Sequence, residues 1–264
     1  MGRTPIAGWE GKLTTYDLAS PVPGIDGRPV TVLVPPGYAD PGNAAHRYPV
    51  LYMHDGNNCL DHDPYAHGGW QVHTISYDLV QKGLMGPAIL VLVDNHAVNR
   101  AAEYVPGSGT APGPSADGYL DFLEKTVVPF VESNFRTLPG ASSRGLGGSS
   151  YGGLISLYGA WTRPQVFGFA MAMSTAFKYD FHALVQRTPV APPLRIYLDS
   201  GTVDYSGGDD GMASTLALRD LLVSKGFTLG KDLQHSIGQG HNHSEDFWRL
   251  RLPTALPFLL PPGS

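Results

Sequence analysis

The sequence predicts an α/β fold, with a mostly parallel central sheet, antiparallel N-terminal strands and helices on both faces. Three observations carry that prediction. Short β-rich apolar runs alternate with segments whose apolar residues recur at helical spacing, the pattern of a parallel sheet covered on both sides. Two alternating segments at the start, Lys12–Leu18 and Arg28–Val34, flank the turn Pro23-Gly-Ile-Asp-Gly27 and suit an antiparallel pair. Finally, Gly148-Ser149-Ser150-Tyr151-Gly152 stands between a short strand and a helix.

The remaining elements follow in order. Pro49–Met53 is a buried strand that opens into a loop at His54-Asp55-Gly56. Val72–Lys82 has helical spacing, and Ala88–Val93 is another buried strand. After a loop from Pro106 to Pro114, Tyr119–Phe135 reads as a helix. A strand near Arg144–Gly147, a helix after Ser150 and a strand at Phe169–Met173 come next. Leu194–Leu198 is a strand, Met212–Lys225 a helix, Asp232–Ile237 a last strand and Glu245–Leu259 a closing helix. No repeat or linker divides the chain, so residues 1–264 are expected to form one catalytic domain. The layout is that of the α/β-hydrolases. Ligands in such sheets bind at the carboxyl ends of the strands, where His54, Ser150, Ser200 and the segment around His241 meet.

Composition narrows the function classes. A hydrophobic fraction of 42% with 16% charge is globular, and the 33 Gly and 23 Pro are dispersed along the chain. A net charge of −5 gives no footprint for nucleic acid or an anionic membrane. No segment approaches the apolar length of a membrane span. The single Cys59 excludes an intrachain disulfide and a four-thiolate zinc site. The start of the chain lacks the apolar core of a signal peptide, which predicts a cytoplasmic protein; a secreted form that had shed its leader would read the same way.

The chemistry centres on Ser150. In a strand–turn–helix context, Gly-x-Ser-x-Gly is a nucleophile elbow, with Gly148 and Gly152 small because the strand and helix cross tightly there. A serine hydroxyl needs a base, and in this fold the triad runs Ser, acid, His along the chain. The base therefore belongs after the last strand, where Gly238-Gln-Gly-His241-Asn-His243 offers two candidates. The acid belongs after the preceding strand. Asp199 sits at that strand's end, Asp204 lies beyond the Gly201 turn and can reach back, and Asp209 and Asp210 lie further out as expected solvated residues. An oxyanion hole needs two N–H donors, assigned to Tyr151 and to Asn57, with Gly56 as the alternative.

Five ordered motifs carry a resemblance. They are Pro49–Asn58, Ala102–Pro106, Tyr119–Leu123 with Asn134–Thr137, the elbow, and His243 five residues before Trp248. Over about Lys12 to Leu260 the chain resembles the esterase family that includes enterochelin esterases, feruloyl and acetyl-xylan esterases and the antigen 85 mycolyltransferases. The resemblance implies an α/β-hydrolase fold and a Ser150–Asp204–His243 triad, and its His-to-Trp spacing selects His243 over His241. It implies a serine carboxylesterase acting on a small-molecule ester through an acyl-enzyme, without a cofactor. An antigen 85-type acyltransferase and a non-catalytic binding module on the same scaffold are the alternatives. The family often has an aromatic where Cys59 stands and an acidic residue near His73, so substrate does not follow from the resemblance. An added carbohydrate-binding or siderophore-recognition domain is not expected.

Other features are assigned by default. His54, Asp55, Asp61, His62, Asp63 and His67 form a dense cluster without the rigid spacing of a zinc site, and read as loop residues at the cleft mouth. Cys59 reads as a packed thiol. Tyr65, Trp70, Tyr205 and Trp248 are candidates to line an acyl or aromatic pocket, with core packing an equal alternative for each. Arg100 and Glu103 are expected in a structural ion pair.

Overall fold

The computed structural model describes residues 7–9, 11–61, 68–109, 113–204 and 208–263. Its strands are β1 (Leu13–Leu18), β2 (Arg28–Leu33), β3 (Val50–Met53), β4 (Ile89–Val93), β5 (Arg144–Ser149), β6 (Phe169–Met173), β7 (Arg195–Gly201) and β8 (Leu233–Gly238). They form one eight-stranded sheet in the order β1-β2-β4-β3-β5-β6-β7-β8. The β1–β2 and β2–β4 pairs are antiparallel, and every pair from β4 to β8 is parallel. The sheet is thus the α/β-hydrolase arrangement that the alternating pattern predicts.

Each central strand feeds two cores, because successive side chains point to opposite faces. Val50 and Tyr52 of β3 join Ile89, Val91 and Val93 of β4 in one cluster, while Leu51 and Met53 join Leu90 and Leu92 in the other. The first face is covered by α3 (Ala116–Phe122), α4 (Val128–Asn134), α5 (Tyr151–Thr162), α6 (Phe181–Arg187) and α7 (Met212–Ser224). The second lies under α1 (Val72–Gln81) and α8 (Glu245–Leu259), which also pack on each other. Near the strand ends, α2 (Arg100–Tyr104) packs on α3 and α5. No described helix is long and apolar enough to cross a membrane.

Two of the expected elements differ from the sequence reading in ways that bear on the site. The helix expected over Tyr119–Phe135 begins earlier, at Ala116, where Ser115 caps it by accepting from Gly118 N–H. It passes through a π-type turn at Leu123–Val127 before continuing as α4, and Pro129 lies just past that turn. A proline has no N–H for the regular ladder, and the wider turn is where the helix absorbs that loss. Strand β7 runs on to Gly201, so Asp199 lies within it and not at its end. Side chains two apart share a face, so Asp199 joins Tyr197 beneath α8.

The parallel register aligns the carboxyl ends. Ser149, Met173, Asp199 and Ser236 form one row across β5 to β8, and Ser150 emerges just beyond it.

Candidate active site

Ser150 occupies the turn between β5 and α5 with φ 56° and ψ −123°, a region that side-chain-bearing residues rarely enter. Neighbouring bonds enforce it: Ser150 N–H donates to Met173 C=O at 3.0 Å, and Ala176 N–H donates to Ser150 C=O at 3.2 Å. A Cβ on Gly148 would stand 2.8 Å from the Gly152 backbone, and one on Gly152 would stand 3.1 Å from Asp55 Oδ2. Gly148 is therefore demanded by the close crossing, whereas Gly152 leaves room for the Asp55 carboxylate. Ser149 is buried in β5, whereas Ser150 is half-buried at the sheet edge.

His243 lies just before α8, and its Nδ1 is 2.6 Å from Oδ1 of Asp210. The carboxylate predicted for this position, Asp204, is not the one found there. Asp204 N–H instead donates to Gly208 C=O at 2.9 Å. Asp210 lies at the end of β7, where Gly201 N–H donates to its Oδ2 at 2.6 Å. Because β7 is longer than the apolar run suggested, the reach from strand to histidine falls later in the loop. The expectation that Asp210 is solvated fails as well, since its side chain is fully buried. Asp209 is half-buried and accepts from the N–H groups of Gly211 and Ala213.

His241 is held elsewhere. Its ring stacks on Phe247 with centroids 4.6 Å apart and fits over Gly238, where any Cβ would meet it. Its backbone carbonyl accepts from Thr202 and Val203. Burial, reinforced by the nearby Arg251 charge, lowers its pKa.

Tyr151 is the first residue of α5, where a helix's leading N–H groups have no intrahelical acceptor. The other donor candidates, Gly56 and Asn57, lie in a 3₁₀ turn at Gly56–Asn58 directly after β3. Gly56 is small because a strand lies against it. A Cβ there would lie 2.6–2.8 Å from the β4 backbone at Leu92 and Val93. The turn is fixed by Asp55, which has φ 54°. Arg100 grips that carboxylate with both arms, at 2.6 and 2.8 Å, and Asn95 Nδ2 adds a third bond at 2.6 Å. Between the Tyr104 and Tyr151 rings, the Arg100 guanidinium lies 5.3 Å from each centroid. Asn58 Nδ2 donates to Glu245 Oε1 at 3.3 Å, tying this turn to the start of α8. Arg100 and Glu103 are both in ion pairs, but with different partners. Glu103 is buried against Arg28, with bonds of 2.7 and 2.9 Å.

The described members of the loop cluster take separate partners on folding. His54 is wholly buried with Nδ1 2.8 Å from Tyr119 Oη, and burial pushes its pKa down to about 3. Asp61 faces the buried His73 at 3.3 Å. His62, Asp63 and His67 lie outside the described residues, as do Tyr65 and Tyr205. Among the described residues, no group of three or more His, Cys, Asp or Glu is placed to hold a metal ion. Cys59 is buried, as its packed reading requires. Trp70 and Trp248 are buried, with ring centroids 5.6 Å apart, and Trp248 also packs edge-on against the His243 ring.

The sequence reading missed Ser174 and Arg251. Ser174, with φ 42°, follows β6 directly and donates its hydroxyl to Asp210 Oδ2 at 2.6 Å. Arg251 on α8 is buried and bonds both Ser174 and Asp199. A signal for Arg251 was present, as a cation set among Trp248, Leu252 and Ala255 on the helix's apolar face.

Comparison with known proteins follows the same lines. Residues 26–259 match the family described as "Putative esterase". The YbbA protein of Bacillus subtilis (strain 168) is 25% identical over 245 residues, which cover 88% of this chain and 92% of that protein. A siderophore triacetylfusarinine C esterase of Aspergillus fumigatus is 30% identical over 141 residues, 50% of this chain and 45% of that one. The fold is shared with the enterobactin esterase of Shigella flexneri at a TM-score of 0.72 and 19% identity, over 95% of this chain. The chain spans only 59% of that esterase's length. A ferulic acid esterase superposes at a TM-score of 0.72 and 20% identity, with 94% of this chain and 98% of that one covered. The family match spans every element from β2 to α8, and the chain belongs to this esterase family of α/β-hydrolases as an ester-hydrolysing enzyme.

Proposed function

We propose that the enzyme is a serine carboxylesterase with a Ser150–Asp210–His243 triad and an acyl-enzyme intermediate, acting on small-molecule esters. The 2.6 Å contact between His243 Nδ1 and buried Asp210 is the observation that carries this reading. A carboxylate can only accept, so Nδ1 carries the proton and Nε2 keeps its lone pair for the Ser150 hydroxyl. Ser150 Oγ attacks the ester carbonyl as its proton passes to Nε2. The resulting oxyanion receives N–H bonds from Tyr151 and from the Gly56–Asn57 turn. His243 then returns the proton to the leaving alkoxide. Water, deprotonated by the same nitrogen, releases the acid and restores Ser150.

Ser150→Ala should lower ester hydrolysis by about three to six orders of magnitude in a folded protein. A fluorophosphonate adduct mapped by mass spectrometry should fall on Ser150. An adduct on Ser149, or full activity in the folded alanine variant, would overturn the assignment.

A further inference from the structure

Behind the Asp210–His243 pair lies a closed, buried set of polar groups that the reaction above does not use. Ser174 Oγ receives Trp248 Nε1–H at 3.0 Å and Arg251 Nη2–H at 2.6 Å. Indole and guanidinium nitrogens donate and never accept, so these bonds occupy both lone pairs of the hydroxyl oxygen. Its single proton has Asp210 Oδ2 as the acceptor within reach, at 2.6 Å. The direction of every bond in the chain is therefore fixed without any choice of tautomer or rotor.

The scaffold holds Ser174 in place from both sides. Its backbone N–H donates to Asp199 Oδ1 at 3.1 Å, and Arg251 Nε donates to Asp199 Oδ2 at 3.0 Å, where Tyr197 Oη also donates at 3.1 Å. A non-glycine residue at φ 42° costs energy and persists only where its surroundings determine it. Arg251 and Trp248 stand three apart on α8, on the same helical face, so a single helix supplies both donors.

We propose that Ser174 and Arg251 are positioning residues for the catalytic acid, holding the Asp210 carboxylate turned so that Oδ1 faces His243. This rests on the triad reading above. The Arg251 charge is transmitted through one hydroxyl to the carboxylate, and Gly201 N–H completes the grip on Oδ2. With Oδ2 held by two donors, the carboxylate cannot rotate to exchange its oxygens, and His243 meets the same oxygen at every turnover. The other charged and titratable groups around the site are Tyr197 and Asp199 on β7, Asp204 and Asp209 in the β7–α7 loop, and His241 before α8.

Ser174→Gly is the informative variant, because it removes the hydroxyl while relieving the backbone. Loss of a charge-assisted bond should lower kcat on a nitrophenyl ester about 10- to 100-fold. KM should change by less than about twofold, since no substrate contact is lost. A carboxylate without its hydroxyl donor is more basic, so the imidazolium is held to higher pH. The acid limb of kcat/KM should therefore move up by about 0.5 to 1 pH unit. Ser174→Cys, with a weaker donor, should fall between, and Ser174→Ala gives the same readout should the glycine variant not fold. A purely structural role would lower the melting temperature without moving the limb. Wild-type kcat and an unmoved limb in a folded Ser174→Gly enzyme would overturn the proposal. Activity surviving in Ser150→Ala would instead overturn the triad reading itself.

Discussion

Asp204 and Asp210 share one loop and one chemistry, and only their surroundings separate them. Asp210 is buried and bonded to His243, Gly201 and Ser174, whereas Asp204 stands half-buried at the base of a turn. Asp210→Asn should cut kcat by about two to four orders of magnitude, because an amide favours the wrong imidazole tautomer. Asp204→Asn should stay within about threefold of wild type, as surface changes away from the reacting groups usually do. The reverse ranking, measured on variants with wild-type circular dichroism, would return the acid role to Asp204. Ser150 and His243 were legible because short motifs mark them: two glycines for a tight crossing and a tryptophan at fixed spacing. Asp210 was not, since three aspartates lie between β7 and α7 and nothing local tells which of them lies over Gly201. Ser174 was hidden for a similar reason. A serine after a strand is ordinary, and its bonds come from β7, the loop after it and α8 together.

At the scale of elements, the turn after β3 illustrates how backbone packing sets chemistry. Gly56 lies against β4 so closely that an added Cβ would sit 2.6 Å from the Leu92 carbonyl carbon. Backbone on both sides leaves no flexible atom to yield. Gly56→Ala should cost about 1–3 kcal/mol in stability from overpacking. It should also lower kcat about 10- to 1,000-fold by shifting an oxyanion donor. Denaturant unfolding and steady-state kinetics on the same preparation check both figures, and an unchanged kcat would remove this turn from the mechanism. Long periodic elements were plain from the sequence, with α8 matching residue for residue and α1, α7 and β6 within one. The short helices α2 and α6 escaped, because so few residues hardly display a helical period. The continuity of α3 into α4 across Pro129 was legible, but the π-type turn between them was not, since such a turn has no recognisable sequence pattern.

Across the whole molecule, buried titratable groups give the fold an unusual response to acid. His54 is neutral in the folded state, with its pKa depressed to about 3 by burial from an ordinary 6.5. Between those values the unfolded chain binds a proton that the native state does not. The stability it carries is therefore complete above pH 6.5 and falls by up to about 1.4 kcal/mol per pH unit below it. Asp199 acts in the opposite sense. Burial, offset by Arg251, raises its pKa to about 6 from 3.8, so across that interval the native state binds the extra proton and gains stability as pH falls. The two slopes cancel over most of the range. In His54→Gln the deficit measured at pH 7 by urea unfolding should shrink by about 2 to 3 kcal/mol at pH 4.5. A deficit that stays constant would show that His54 does not titrate on unfolding.

The placement of His243, Trp248 and Arg251 on and just before α8 also bears on biosynthesis. During translation, Ser150 and the Asp55 turn leave the ribosome well ahead of that helix, since domains assemble from the N-terminal side as they emerge. Until α8 docks, the nascent polypeptide has a nucleophile without a proton acceptor, and Asp199 lacks its cation. On the triad reading, the nucleophile therefore meets its base only once α8 has docked, and esterase chemistry waits for that step.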